Sequence, residues 1–365
     1  MLLTNLFHTS KMQAITYHEP YKVAVETVDI PKIIEPTDAI VKVTVCGLCG
    51  SDLHAYRGDQ SGVDKGTIMG HEFVGIIHEI GDEITNLSIG DRVLSPFSTS
   101  CGACFYCERG ITCRCEKGQL YGLISDGQGI HGAQAEYIRV PLASSTLVKV
   151  LPDLSDNVAL LLGDVLSTGY FCAENGLEHL EVELRQVSVV VIIGCGPVGL
   201  MAILSSIFLG VKFVFVIDCV EERLKIAQEY GAATMNFVNC DPVETIKEVT
   251  SGRGADVVLE VVGNPTALQL AFNLLRPGGV ISSVGVHNSK TFPFGPNDGY
   301  NKNITYKSGR CPVRKMLTKT IPFALSKQFD FEKIITHTLK LSDGEMAYNI
   351  FEKKLDGCIK VVFKI

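Results

Sequence analysis

The chain has 365 residues, enough for two or three domains of roughly 100–200 residues each. Hydrophobic residues make up 46% and charged residues 20%, which excludes a disordered chain. Lys plus Arg (33) against Asp plus Glu (40) gives a net charge of −7, and without a long basic run this argues against nucleic acid or an anionic membrane as partner.

No apolar run reaches the roughly 18–20 residues needed to cross a bilayer. Residues 1–11 lack a charged n-region and a small-residue cleavage site, so they are expected to be a short tail before a first strand at Met12–Tyr17. Thirteen cysteines, an odd number and partly clustered, favour metal binding or free thiols over disulfides and suggest a reducing, cytoplasmic setting. Up to about residue 150 the chain reads as mainly β. Ala39–Val45 alternates apolar and polar residues, Phe73–Ile80 is an apolar run that stops at Gly81-Asp82, and Gly90-Asp91 is a turn into another strand.

From about residue 165 the pattern changes. Val187–Ile193 is an apolar run of strand length, Phe213–Ile217 is a second, and Asp256–Val262 and Val280–Val286 are further ones, with helix-like stretches between them. Strands buried on both faces and alternating with helices predict a parallel α/β sheet. The stretch 308–365 returns to mixed helix and strand, so it is expected to rejoin the β-rich first part. The expected division is therefore 1–165 with 308–365, and 166–307 inserted between them.

Gly194-x-Gly196-Pro197-Val198-Gly199 sits between an apolar strand and a helix, with Asp218 closing the next strand 19 residues after Gly199. In a dinucleotide fold the first glycine makes the turn, the second admits the pyrophosphate, and the third lets helix pack on strand. The helix N-terminus supplies unpaired N–H groups for the phosphates. A carboxylate at Asp218 accepts ribose hydroxyls and repels a 2′-phosphate, favouring NAD over NADP. Arg223 is a candidate contact for the ribose edge or a solvated helix charge.

Cys101-x2-Cys104-x2-Cys107-x7-Cys115 lies in a polar loop, and four thiolates at such spacing suit a closed structural zinc site. Cys113 competes with Cys115 as fourth ligand, and an iron–sulfur cluster or free thiols are the alternatives. A second constellation joins Cys46-Gly47-Leu48-Cys49-Gly50-Ser51-Asp52-Leu53-His54 to Gly70-His71-Glu72.

In that order these motifs resemble the zinc-containing medium-chain dehydrogenase/reductase superfamily, alcohol dehydrogenase type. The resemblance spans most of the chain. It implies an α/β protein with a GroES-like β-rich catalytic domain and a Rossmann doubly wound parallel-sheet domain. It also implies that Cys49 and His71 bind a catalytic zinc with Glu72 behind it, and it places a third ligand near Asp164. Cys172 is the competitor for that place. Zinc would act as Lewis acid, hydride would pass to NAD, and Ser51 and His54 would relay the proton. Thr168 would pack on the nicotinamide, Val284 would belong to the cofactor site, and Lys360 would reach the pyrophosphate.

Asp164 and the stretch 132–141 look most like the formaldehyde-dehydrogenase-like and secondary-alcohol branches, with a small alcohol or aldehyde as substrate. A relative that reduces conjugated aldehydes and a zinc protein that only senses NAD are the other readings. Ser51 and His54 argue against the sensor, which needs no proton relay. The family forms homodimers or homotetramers, and the stretch 280–286 is where dimers are expected to join their sheets.

Overall fold

The computed structural model describes residues 10–365; the expected tail lies, for residues 1–9, outside the described residues, and Lys11 already belongs to the first strand. The described residues form two compact units, one of residues 10–163 with Ile335–Ile365 and one of Asp164–Ile334.

The first unit is mainly β. Strands β1 (Lys11–Glu19) and β2 (Lys22–Asp29) form an antiparallel hairpin. They are followed by β3 (Ala39–Leu48), β4 (Phe73–Ile80), β5 (Arg92–Leu94), the small pair β6 (Leu123–Ser125) and β7 (Gln128–Ile130), β8 (Tyr137–Val140) and β9 (Val148–Lys149). In β3 only Lys42 is exposed, so the alternation read from the sequence holds in the middle of the strand and is lost at its buried ends. The core gathers Ile15, Val41, Val43, Phe73, Ile77, Val93 and Ile138.

The second unit supplies β10 (Val189–Ile193), β11 (Phe213–Asp218), β12 (Ala233–Asn236), β13 (Ala255–Glu260), β14 (Leu275–Ser283) and β15 (Thr305–Ser308). All neighbours pair in parallel, in the order β12-β11-β10-β13-β14-β15. This is the doubly wound order, with its reversal between β10 and β13. Every residue of β10 and β13 is buried, as expected for central strands covered on both faces. The helix Val165–Leu177 crosses the helix Pro197–Phe208 at Gly169, where a Cβ would stand 2.7 Å from the Ala202 nitrogen.

The chain then returns to the first unit through β16 (Ile335–Lys340) and β17 (Lys360–Lys364). They complete a seven-stranded sheet in the order β16-β17-β3-β4-β5-β9, with β8 also on β3.

Two expectations change. The return falls at residue 335, not 308, because the helix Val313–Leu325 buries Met316, Leu317, Thr320 and Phe323 within the second unit. Thr320 Oγ1 there meets Ser167 Oγ at 3.1 Å. The stretch 280–286 also offers no sheet edge. β14 is hydrogen-bonded to β13 on one side and β15 on the other, so β12 and β15 are the edges.

Candidate active site and metal centres

β3 and β4 are antiparallel neighbours with Cys46 opposite Phe73, and the Gly47 amide donates to the Glu72 carbonyl at 3.0 Å. The end of β3 and the start of β4 therefore meet, and this brings Cys49 to His71 and Glu72. Gly47 is required there, since a Cβ would lie 1.9 Å from Glu72 Oε2. Asp52, in the first turn of the helix Asp52–Arg57, binds both partners: Oδ2 accepts from the Cys49 amide at 2.9 Å, and Oδ1 lies 2.9 Å from His71 Nδ1. His71 Nε2 is left facing Ser51 Oγ at 3.3 Å.

Asp164, the residue at the junction, completes this group: one ligand atom each from Cys49, His71, Glu72 and Asp164 lie within 4.8 Å of one another. Asp164 is buried, and its Oδ1 accepts from Thr168 Oγ1 at 3.1 Å. A thiol, an imidazole and carboxylates form a mixed donor set that fits zinc. Cys172 is not in the group. Its thiol donates to the Ser282 carbonyl at 3.4 Å, and burial pushes it up to about 12. Cys46 is fully buried in β3, where burial raises its thiol far above the usual range.

Lys360 requires a correction. It was expected at the pyrophosphate, or else as a solvated strand charge. Its ammonium is instead fully buried, ion-paired to Glu72 and donating to the Leu48 carbonyl at 3.1 Å. β17 pairs with β3 so that Val361 faces Leu48, which turns the neighbouring Lys360 towards the base of the metal group.

The second group is made of Cys101, Cys104, Cys107 and Cys115, whose sulfur atoms lie within 4.8 Å of one another; Cys113 is outside it. The Cys101 amide donates to Cys115 Sγ at 3.1 Å. Backbone amides of Glu116 and Cys107 hold the Cys104 thiol down at about 6, so that one member is a ready thiolate. Four thiols fit a closed tetrahedral zinc site.

In the second unit, Gly194 (φ 97°) turns the chain out of β10. Gly199 allows the close return, since a Cβ there would lie 2.0 Å from the Gly194 carbonyl oxygen. Pro197 and Val198 begin the helix that Gly196 caps. Asp218 ends β11 and ties the loop: its carboxylate accepts from the amides of Cys195 (2.7 Å), Cys219 (2.7 Å) and Val220 (3.0 Å). Arg223 Nη1 reaches within 3.7 Å of where a Gly196 Cβ would stand, so the guanidinium covers the glycine loop. Val284 follows β14 and donates its amide to the Glu260 carbonyl at 3.0 Å.

Asp52 stands within the motif from Cys49 to His54, but its role needs both Cys49 and His71 in place, which no spacing shows.

Together these features define the architecture of a metal-dependent, dinucleotide-binding enzyme. Residues 35–153 match the alcohol dehydrogenase GroES-like domain family and residues 197–326 the zinc-binding dehydrogenase family. The chain is 41% identical over 357 residues to zinc-type alcohol dehydrogenase B of Aspergillus flavus, covering 97% of this chain and 82% of that protein. Among solved structures it is similar to alcohol dehydrogenase TADH from Thermus sp. ATN1, with 38% identity, a TM-score of 0.89, and 97% and 99% of the two chains covered. It is also similar to a structure described as the short chain alcohol dehydrogenase rspB from E. coli CFT073 complexed with cofactor NADH, at 26% identity and TM-score 0.83, covering 98% and 100% of the two chains. The chain belongs to the zinc-containing medium-chain alcohol dehydrogenases and is an oxidoreductase of that type. Among the described residues no helix is long and apolar enough to cross a membrane.

Proposed function

We propose that this chain moves a hydride between an alcohol, or a hydrated aldehyde, and NAD, with two zinc ions per chain. Cys49, His71 and Asp164 hold the catalytic ion and Glu72 lies behind it. Cys101, Cys104, Cys107 and Cys115 hold the structural one. The observation that carries this reading is the mixed donor set within 4.8 Å, with its imidazole already oriented by Asp52. Zinc in that set would supply Lewis acidity, which makes a hydroxyl proton easier to remove.

The chain's own residues handle the proton. Ser51 stands at the start of the helix Asp52–Arg57 without using its side chain as a cap, and its hydroxyl, beside His71 Nε2 at the metal group, takes the substrate proton. His54 follows one turn later, partly exposed and with Asp59 at 3.8 Å, and passes the proton to solvent. An imidazole suits that handover near neutral pH. Thr168 holds Asp164 and packs on the nicotinamide. Asp218 takes the adenosine ribose and disfavours a 2′-phosphate, with Arg223 at the ribose edge. The chain works as a homodimer or homotetramer in the cytoplasm, where thiolates stay reduced.

The test is absorbance of reduced nicotinamide with NAD or NADP across primary and secondary alcohols, polyols and hydrated formaldehyde, with and without a zinc chelator. NAD-linked, chelator-sensitive turnover is expected. Silence across the panel in protein shown to hold two zinc ions would overturn it.

A further inference from the structure

A dinucleotide lies across the carboxyl ends of a doubly wound sheet, with one nucleotide on each side of the strand-order reversal. Asp218 on β11 marks the adenosine side, so the nicotinamide half belongs over β13, β14 and β15. At the carboxyl end of β13 stands a fully buried carboxylate that the reaction does not use, Glu260.

Glu260 Oε1 accepts from the amides of Val262 (2.8 Å) and Gly263 (2.6 Å). Oε2 accepts from Ser283 Oγ at 2.7 Å and lies 2.9 Å from His287 Nε2, which is itself 3.2 Å from Ser283 Oγ. The Glu260 carbonyl accepts from the amides of Val284 (3.0 Å) and Gly285 (3.4 Å). One residue thus fixes the loop after β13 and the loop after β14. The loops touch backbone to backbone: a Cβ on Gly285 would lie 2.2 Å from the Gly263 nitrogen. Outward from this clamp, Val262 and Val286 stay 45% and 50% exposed, an apolar ledge on an otherwise tied structure. Val262 also leans on the phosphate turn, since a Cβ on Gly194 would lie 2.7 Å from its Cγ2.

We propose that Glu260, with Ser283 and His287, is a positioning cluster that holds Val262, Val284 and Val286 as the seat of the nicotinamide half of the cofactor. This rests on the dinucleotide reading above. An ionised carboxylate is acceptor-only at both oxygens and suits four converging partners. An amide of the same shape keeps one oxygen for the loop amides but turns an NH2 towards Ser283 and His287, which must then accept where they donated, so the tie to the second loop is weakened.

The experiment compares binding of NADH, followed by its own fluorescence, with binding of ADP-ribose, which lacks the nicotinamide, by calorimetry. Glu260→Gln is expected to weaken NADH by about tenfold and ADP-ribose by less than about twofold, one lost tie being that large. The KM for NAD should rise in step while the KM for alcohol stays put. Ser283→Ala and His287→Ala each remove one partner of Oε2 and carry the same split, smaller, should Glu260→Gln fail to fold. Equal weakening of both ligands, or none, would overturn the proposal. Wild-type protein that bound neither ligand would overturn the dinucleotide reading itself, so the two failures are distinct.

Discussion

Asp52 holds His71 through Nδ1 at 2.9 Å, and this fixes the Nε2 nitrogen as the one offered to a metal. The same carboxylate holds the Cys49 amide, so a single side chain sets the pose of two proposed ligands. Asp52→Ala is expected to lower affinity for the catalytic zinc by about 10–100-fold, the usual effect of removing a group that orients a ligating histidine. Competition with a chromophoric chelator measures this. The zinc proposed for the four-cysteine loop serves as internal control and should not move.

Asp164→Ala removes the junction carboxylate. Bound zinc should fall from about two to about one per chain, with turnover lost. Elemental analysis of the purified variant decides it, and unchanged zinc content would remove Asp164 from the ligand set.

Asp218→Ser takes the negative charge from the end of β11. The ratio of kcat/KM for NADP to that for NAD should rise. Because three loop amides also lean on Asp218, NAD affinity should fall at the same time. A ratio that does not move would mean the ribose is held elsewhere.

Lys360→Met tests the corrected role of that lysine. Its removal leaves Glu72 buried without its cation, and breaking such a pair costs about 3–5 kcal/mol. Urea unfolding should show the loss. A variant of unchanged stability but weakened cofactor binding would restore the pyrophosphate role.

What the sequence disclosed was what depends on neighbouring residues. The glycine turn, the closing aspartate and the four-cysteine spacing are short-range patterns, and the structure brings each set together. What it concealed depends on register between distant strands. Lys360 meets Glu72 across 288 residues, and nothing near Lys360 tells a buried ammonium from a solvated one. The helix Val313–Leu325 shows the same amphipathic pattern whichever unit it covers, so the return point at residue 335 does not show in the sequence around it. The stretch 280–286 reads as an apolar strand, but whether a strand is interior or edge is settled only by its neighbours. Asp52 was visible as a letter in a motif, and its two bonds exist only once β3 and β4 are paired.

The place of β17 sets an order of assembly on the growing chain. It pairs with β3 in the first unit, yet the whole of Asp164–Ile334 is synthesised between them. The inserted unit has all its strands before β17 leaves the ribosome, so it can fold while the first unit still waits with the end of β3, residues 45–48, unpaired on one side. Lys360 arrives with that late strand, so Glu72 gains its counter-ion only at the last step. A nascent chain stalled before residue 360 should therefore carry a folded nucleotide unit and an open, aggregation-prone metal unit.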